Sequence, residues 1–206
     1  MIEVRMKALS LAAALLLTPV LAVPGRAADA DPAVQTVRNF YDTLLESMKQ
    51  GKSLGINGRY AKLKPAVDQA YDIADMTKYV VGPSWTNFTA SDQQALTAAF
   101  ERLTVANYAN NFDSFSGEKF EVDPAAQVRG TDKVVQSKLV TGSQTIPFNY
   151  RMREVGGSWK ILDVYLNGTI SQLATRRSDF GATVSSGGAQ ALIKKINELS
   201  DQQMKK

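Results

Sequence analysis

The chain has 206 residues, a formal net charge of +4 and 44% apolar residues, and it contains neither cysteine nor histidine. The missing residue types exclude a disulfide framework, a thiol nucleophile, a Ser-His-Asp triad and a histidine-based zinc site. The weak, scattered positive charge forms no basic helix of the kind that binds nucleic acid, so we expect a globular fold that rests on its hydrophobic core.

The N-terminus has the pattern of a secretion signal. Two basic residues precede the apolar run 8–17, Pro19 follows it, and Ala28-Asp29-Ala30 supplies a small-x-small cleavage pattern. The apolar run is shorter than the roughly 20 residues that a membrane-spanning helix needs. The sequence therefore predicts a cleaved signal peptide over 1–30 and a single exported domain over 31–206.

Helical periodicity dominates the first half of this domain. Asp31 and Pro32 suit the N-cap and first turn of a helix, and apolar residues then recur at three- and four-residue spacing until Gly51. A glycine-rich loop is expected over 51–58. The predicted helices cover 32–50, 60–71, 72–82 and 91–110.

Strand periodicity follows, beginning with a short strand over 119–122. Gly142-Ser143 and Gly156-Gly157 suit two-residue hairpin turns, which fix the strand register. The first turn pairs Leu139 with Ile146, Ser137 with Phe148 and Val135 with Tyr150. The second pairs Met152 with Ile161, Tyr150 with Asp163 and Phe148 with Tyr165.

This register gathers apolar side chains on one face of the sheet: Val135, Leu139, Ile146, Phe148, Tyr150, Met152, Ile161 and Tyr165. The opposite face carries Gln136, Lys138, Asn149, Arg151, Arg153 and Lys160. The pattern predicts an α+β fold, in which a four-stranded antiparallel curved sheet is wrapped by N- and C-terminal helices around an apolar pocket. Periodicity alone leaves open whether the apolar face is a filled core or lines a cavity.

Three ordered blocks resemble a known family. The first runs from Tyr71-Asp72-Ile73-Ala74-Asp75-Met76 through Val80-Val81-Gly82 to Trp85. The second runs from Gly156-Gly157-Ser158-Trp159-Lys160 through Leu166-Asn167-Gly168 to Arg177-Ser178-Asp179-Phe180, and the third is 187–199. These blocks are similar to the MlaC family of periplasmic lipid carriers, also called toluene-tolerance auxiliary proteins, and the third resembles the last helix of that family.

The resemblance implies a soluble periplasmic carrier that shuttles a lipid between membranes as the substrate-binding component of an ABC-type transport system. It implies no catalysis, no cofactor and no metal. The expected partners are the lipid and membrane-bound transporter components, with transient membrane contact and a monomeric carrier. Asn167-Gly168-Thr169-Ile170-Ser171 and Arg176-Arg177 depart from the phospholipid carriers and resemble the hopanoid-associated HpnM branch, so hopanoid and phospholipid are both candidate ligands.

The candidate ligand-binding residues combine the apolar sheet face with apolar helix positions. They are Val81, Trp85, Phe100, Leu103, Val135, Leu139, Ile146, Phe148, Tyr150, Met152, Ile161, Asp163, Tyr165 and Leu173. Arg176 and Arg177 are the candidate partner-docking residues, because guanidinium groups suit a lipid phosphate or an acidic partner.

Two other functions fit the same residues. Asp163 with Tyr150 or Tyr165 could serve an isomerase-like enzyme that works inside an apolar cavity of a cone-shaped fold. Asp163 could instead be structural, held by hydrogen bonds to a hydroxyl or to backbone amides. A third possibility is a ligand-free periplasmic adaptor with a solid core.

Overall fold

The computed structural model describes residues 31–205, so the predicted signal peptide lies outside the described residues. The helices are α1 (Pro32–Lys49), α2 (Gly51–Ala70), α3 (Ile73–Val81), a 3₁₀ helix (Gly82–Asn87), α4 (Ala90–Asn111) and α5 (Gln172–Gln203). The strands are β1 (Lys119–Val122), β2 (Gln127–Arg129), β3 (Asp132–Val140), β4 (Thr145–Val155), β5 (Ser158–Leu166) and β6 (Ile170–Ser171). The predicted α+β class is confirmed.

The sheet is antiparallel and has the order β1-β3-β4-β5-β6, with β2 also paired to β3. The four predicted strands are β1, β3, β4 and β5, and the short strands β2 and β6 bring the sheet to six. The register predicted between β3 and β4 is confirmed, with Val135 opposite Tyr150 and Leu139 opposite Ile146. Gly156 and Gly157 both have positive φ, at 57° and 79°, as the tight turn between β4 and β5 requires.

The register predicted between β4 and β5 is wrong beyond the Met152–Ile161 pair. The pairing shifts at this point, and Arg151 lies opposite Asp163, Tyr150 opposite Val164, and Asn149 opposite Tyr165. Leu162 is the extra residue, so β5 carries a β-bulge. Because side chains alternate along a strand, one extra residue exchanges the faces of everything after it. The turn sequences that predict the register do not reveal a bulge of this kind, because it lies within the strand.

Two glycines break long helices rather than forming loops. The predicted loop over 51–58 belongs to α2, which is interrupted at Gly55 with φ of 60° and ψ of 179°. In α5 the break lies at Gly188, with φ of 62°, so the predicted helix over 187–199 is its second half.

A buried arginine fastens the start of α2 to the end of α4. Arg59 donates to the Ala109 carbonyl at 2.7 Å and to the Gly51 carbonyl at 2.8 Å. A side chain at Gly51 would collide with the Asp113 carbonyl, since an ideal Cβ there lies 1.9 Å from that oxygen. Only glycine fits at this position, because the two chain segments approach so closely.

The core forms where α1, α2, α3 and α5 meet the sheet, with α4 packed behind on α2 and α5. Its fully buried members include Val34, Leu44, Leu63, Leu96, Tyr150, Met152, Ile161, Phe180, Leu192 and Ile196. Within residues 31–205, each helix lacks the length or the apolar character that crossing a bilayer would require.

Asp163 ties the sheet to the start of α5. Its carboxylate is 6% exposed and accepts from the Val164 amide at 2.8 Å, the Leu173 amide at 3.1 Å and the Ser171 hydroxyl at 2.5 Å. Ser171 is the N-cap of α5 and in turn accepts from the Ala174 amide at 2.9 Å. A carboxylate beside a helix N-terminus is also favoured by the helix dipole. This arrangement agrees with the structural interpretation of Asp163.

We therefore expect Asp163→Asn to destabilise the fold. An amide accepts at one atom only, so at least one buried charge-assisted bond is lost, at a cost of about 2 kcal/mol. For a domain of this size that cost lowers the unfolding temperature by roughly 4–8 °C. Thermal unfolding followed by circular dichroism measures the change, with the exposed Asp123→Asn as the matched control. Equal unfolding temperatures for the two variants would contradict a structural role for Asp163.

Candidate functional site

A cavity of about 330 Å³ lies between α4 and the β4–β5 hairpin. The junction of α2 and α3 and the first turn of α5 complete its wall. The cavity exists because α4 packs on the other helices rather than on the strands opposite it. Its volume is at the lower end of the roughly 300–1,000 Å³ typical of small-molecule pockets.

The wall of this cavity is mainly apolar. Its apolar side chains are Met76 from α3, Phe100, Leu103 and Phe112 on or beside α4, Phe148, Val164 and Leu166 from the strands, and Leu173 from α5. Val164 and Leu166 take part because the bulge at Leu162 turns them to this side of the sheet. Such a wall favours a hydrocarbon ligand.

Polar groups occupy two regions of the wall. Asn111 is exposed and the side chain of Arg176 is 33% exposed, which places both at the mouth of the cavity. Tyr71 is only 3% exposed and lies with Tyr108 at the inner end. The site is therefore amphipathic, with a polar mouth and a hydroxyl-bearing interior.

Four tyrosines cluster behind the inner end. Tyr71 and Tyr108 hydrogen-bond through their hydroxyls, and the Tyr41 hydroxyl lies 2.7 Å from Ser137 Oγ. The rings of Tyr41 and Tyr150 pack edge to face. Burial raises the pKa of Tyr108 to about 12 and raises the pKa values of the other three phenols above their ordinary range. All four are consequently neutral at physiological pH.

The structure brings only part of the predicted binding set to this cavity. Phe100, Leu103, Phe148, Asp163 and Leu173 line it. Other predicted residues lie in the packed core (Val81, Val135, Tyr150, Met152 and Ile161) or half-buried against it (Trp85). Leu139 is buried and Ile146 half-buried, and both lie outside the core cluster and the cavity wall. The apolar sheet face is thus mostly filled core, because α1 and the α2–α3 junction press against it, and a ligand role for these residues stays a prediction.

Tyr165 lies on the opposite side of the sheet from its predicted position. The bulge turns it into an outer groove of about 540 Å³, which it lines with Arg129, Asn149, Arg151 and Thr169. The prediction that Tyr165 belongs to the apolar face is wrong for that reason. Asp132 also lines this groove and accepts from Arg151 at 2.6 Å and from Arg153 at 2.7 Å, so it neutralises part of the positive charge.

The two candidate docking residues have different surroundings. Arg176 lines the mouth of the cavity and lies 3.9 Å from Asp179. Arg177 points elsewhere, with its guanidinium 5.1 Å from the ring centre of Tyr79 and close to Gly82. Of the two, Arg176 alone lines the cavity, so the pair does not form one patch at the mouth.

Sequence reasoning missed several polar cavity residues on α4. Thr104, Asn107, Tyr108 and Asn111 recur at three- and four-residue spacing and all line the cavity. This stripe of uncharged polar residues beside the apolar stripe could have indicated a polar part of a binding site, because a solvent-exposed helix face does not require uncharged residues at this spacing.

The acid–phenol pair of an isomerase is not assembled. The Asp163 carboxylate is held by two backbone amides and the Ser171 hydroxyl. Tyr150 is buried in the core with its ring against that of Tyr41, and Tyr165 faces the outer groove. The geometry therefore gives no support to the enzymatic alternative.

Comparison with known proteins agrees with this architecture. The family model described as MlaC protein matches residues 38–198. The toluene tolerance protein ttg2D of Pseudomonas putida is 27% identical over 126 residues, which cover 60% of this chain and 59% of that protein's length. A solved structure of the phospholipid-binding protein from Ralstonia solanacearum, in complex with a phospholipid, has a TM-score of 0.71 and 25% identity, and the match covers 85% of this chain and 100% of that one. Because the family model spans most of the sequence, the chain belongs to the MlaC family.

Proposed function

We propose that this protein is a periplasmic lipid carrier, serving as the substrate-binding component of an ABC-type lipid transport system. The observation that carries the proposal is the mainly apolar cavity between α4 and the β4–β5 hairpin. It is supported by the match, over 85% of this chain, to a protein solved with a phospholipid bound. Hopanoid and phospholipid remain the two candidate ligands.

The cavity suits transport because it offers burial without a reactive group. Each methylene removed from water contributes about 0.8 kcal/mol, so a hydrocarbon chain against Leu103, Phe148 and Leu166 supplies the affinity. Asn111 and Arg176 at the mouth lie where the polar end of a lipid would meet water. The bound lipid is released to a membrane-bound partner without crossing water as a free molecule.

The surroundings of the carrier follow from the same proposal. The predicted signal peptide over 1–30 directs the chain to the periplasm, where a monomer contacts transporter components and membranes transiently. Arg176 lines the cavity mouth and Arg177 follows it in the chain, so a partner that docks on both would lie beside the opening.

Organic extraction of protein purified from the periplasm, followed by mass spectrometry, tests the function. A lipid present in stoichiometric amount supports the carrier. Protein without any lipid would contradict it and favour the adaptor, and a small transformed sterol-like molecule would favour the enzyme.

We expect Phe148→Asp to abolish lipid co-purification, because it places an ionised carboxylate in the apolar cavity, where desolvation is costly. The lipid-to-protein ratio after extraction is the measurement. Val128→Asp makes a comparable apolar-to-acid change at a side chain that is 67% exposed, and it should retain the full lipid load. A folded Phe148→Asp protein with undiminished lipid would show that this cavity is not the lipid site.

Charge reversal of both arginines, Arg176→Glu with Arg177→Glu, should slow lipid transfer to acceptor membranes, since charged rims mainly accelerate encounter and set orientation. The slowing should be largest at low salt, where screening is weak. Transfer rates are measured with vesicles containing anionic lipid over a range of ionic strengths. The control reverses two exposed lysines, Lys52 and Lys194, and changes the net charge equally. Identical rates for the two variants would leave the arginines without a docking role.

A further inference from the structure

The outer groove of about 540 Å³ lies on the face of the sheet that points away from the apolar cavity. Side chains of β3, β4 and β5 form its floor, Arg129 on β2 stands on one side, and Gly168 and Thr169 in the turn between β5 and β6 stand on the other. Gly168 has a φ of 77°, and its carbonyl accepts from the Asn149 side chain at 3.2 Å, which fixes the turn against β4. The groove is therefore bounded by strands and by an anchored turn.

One end of this groove is cationic. Arg151 on β4 donates from Nε to the Asp132 carboxylate at 2.6 Å, and its side chain remains 39% exposed. Among residues 31–205, no protein group accepts from its two terminal nitrogens, so they are available to a ligand. Arg129 is exposed and donates to the Gln127 side chain at 3.0 Å. Because a guanidinium that is already held loses less conformational freedom on binding, Arg151 is suited to orient an anion.

The acidic residue of the groove, Asp132, does not cancel this positive charge. Asp132 is only 6% exposed, and its second carboxylate oxygen accepts from Arg153 Nε at 2.7 Å. Arg153 also lies 3.7 Å from Asp75. Two carboxylates thus face three guanidinium groups, those of Arg129, Arg151 and Arg153. The excess positive charge attracts an anion to this end of the groove.

The other end of the groove is neutral and rich in hydrogen-bonding groups. Asn149 lies two residues before Arg151 on β4, on the same face and about 7 Å away along the strand. Tyr165 on β5 is paired with Asn149, and Thr169 lies on the adjoining turn. Within the part of the chain that the structure describes, the hydroxyls of Tyr165 and Thr169 have no protein partner, so each can donate to or accept from a ligand.

We propose that the outer groove binds a phosphate ester of a small polyol, such as a glycerol phosphate group. Its phosphate pairs with Arg129 and Arg151, because guanidinium groups match the geometry of phosphate oxygens. Its hydroxyls bond to groups of the neutral end. A bare phosphate ion would not reach that end, and an anion with an apolar tail would leave the polar groups there without partners. This second site is separate from the lipid cavity, since the sheet lies between them.

Two phosphate monoesters of equal charge test the inference: glycerol 3-phosphate and n-propyl phosphate, which differ by two hydroxyl groups. Each is titrated into the protein at neutral pH and constant ionic strength, and amide chemical shifts in two-dimensional NMR spectra give the dissociation constant. We expect shifts at Arg151, Gly168 and Thr169, which line the groove. Glycerol 3-phosphate should bind about fivefold tighter than n-propyl phosphate, as one net neutral hydrogen bond gives.

Neutralising the cationic end should weaken the binding of both esters. Arg129→Gln combined with Arg151→Gln removes charge-assisted hydrogen bonds, and we expect a loss of about tenfold or more in each affinity. Arg129→Gln alone changes an exposed side chain and should show part of this loss in a folded protein. Arg38→Gln combined with Arg102→Gln removes the same charge from α1 and α4, outside the groove, and should leave both affinities unchanged. Thermal unfolding of each variant verifies the fold.

Removing the hydroxyls of the neutral end should have a different effect. Tyr165→Phe combined with Thr169→Val keeps every charge of the groove. Glycerol 3-phosphate should then lose its fivefold advantage, whereas n-propyl phosphate should bind as it does to the wild type. A general attraction of anions to the basic face of the sheet would not respond to this variant.

The source of the glycerol phosphate group is identified with vesicles. Phosphatidylcholine vesicles receive equal amounts of either phosphatidylglycerol or phosphatidylserine, so the two preparations carry the same net charge. Stronger retention of the wild type on the phosphatidylglycerol vesicles, abolished by Tyr165→Phe with Thr169→Val, supports the site and identifies a lipid headgroup as the ligand. Equal retention on both preparations, with the ester preference intact, supports the site and identifies a free phosphate ester.

Equal binding of the two esters by the wild type would overturn the inference. Shifts that are absent from the groove, or affinities that survive Arg129→Gln with Arg151→Gln, would overturn it as well. None of these results depends on the lipid content of the cavity, which organic extraction measures, so the carrier function is tested independently.

Discussion

One extra residue in β5 determines which side chains of that strand face the cavity and which face the outer groove. The bulge at Leu162 reverses the alternation of the strand, so Val164 and Leu166 line the cavity and Tyr165 turns outward. A strictly alternating strand would have placed Asp163 and Tyr165 in the packed interior, where an uncompensated carboxylate is costly. The bulge instead brings Asp163 to the first turn of α5, which supplies the donors it needs. The bulge thus affects the position of α5, the composition of the cavity wall and the polarity of the outer groove.

The sequence was sufficient to predict the features that depend on local pattern. Helical spacing and caps located α1, α3 and α4 closely, and the glycine turns gave the β3–β4 register. Two failures have a common cause, because the bulge and the helical state of 51–58 are decided by tertiary contacts. Arg59, for example, holds the start of α2 by bonding to the end of α4, fifty positions away along the chain. The helix and strand propensities of neighbouring residues do not reveal such a long-range contact.

The cavity was only partly predictable for a related reason. An apolar sheet face predicts that the face is buried but does not identify the element that covers it. In this protein α1 covers most of the face, and α4 leaves a gap over one end of the β4–β5 hairpin. Phe148 and Leu103 line that gap, whereas Val135 and Ile161 lie in solid core. Apolar periodicity does not show what tyrosine hydroxyls contact, and only the structure reveals that Tyr71 and Tyr108 bond to each other in the cavity wall.

The wall of the cavity and its mouth differ in polarity. The apolar wall binds any hydrocarbon in proportion to the area it buries. The mouth, with Asn111 and Arg176, is the exposed and polar part of the site.

We expect the lipid chain to enter the cavity between α4 and the β4–β5 hairpin, and residue-level photo-crosslinking locates it. A lipid that carries a photoreactive group at the end of its acyl chain is loaded into the protein, irradiated and mapped by tandem mass spectrometry. We expect the photoreactive group to form adducts with Leu103, Tyr108 and Phe148, which line this cavity. Adducts confined to Arg129, Tyr165 and Thr169 would place the lipid in the outer groove and contradict it.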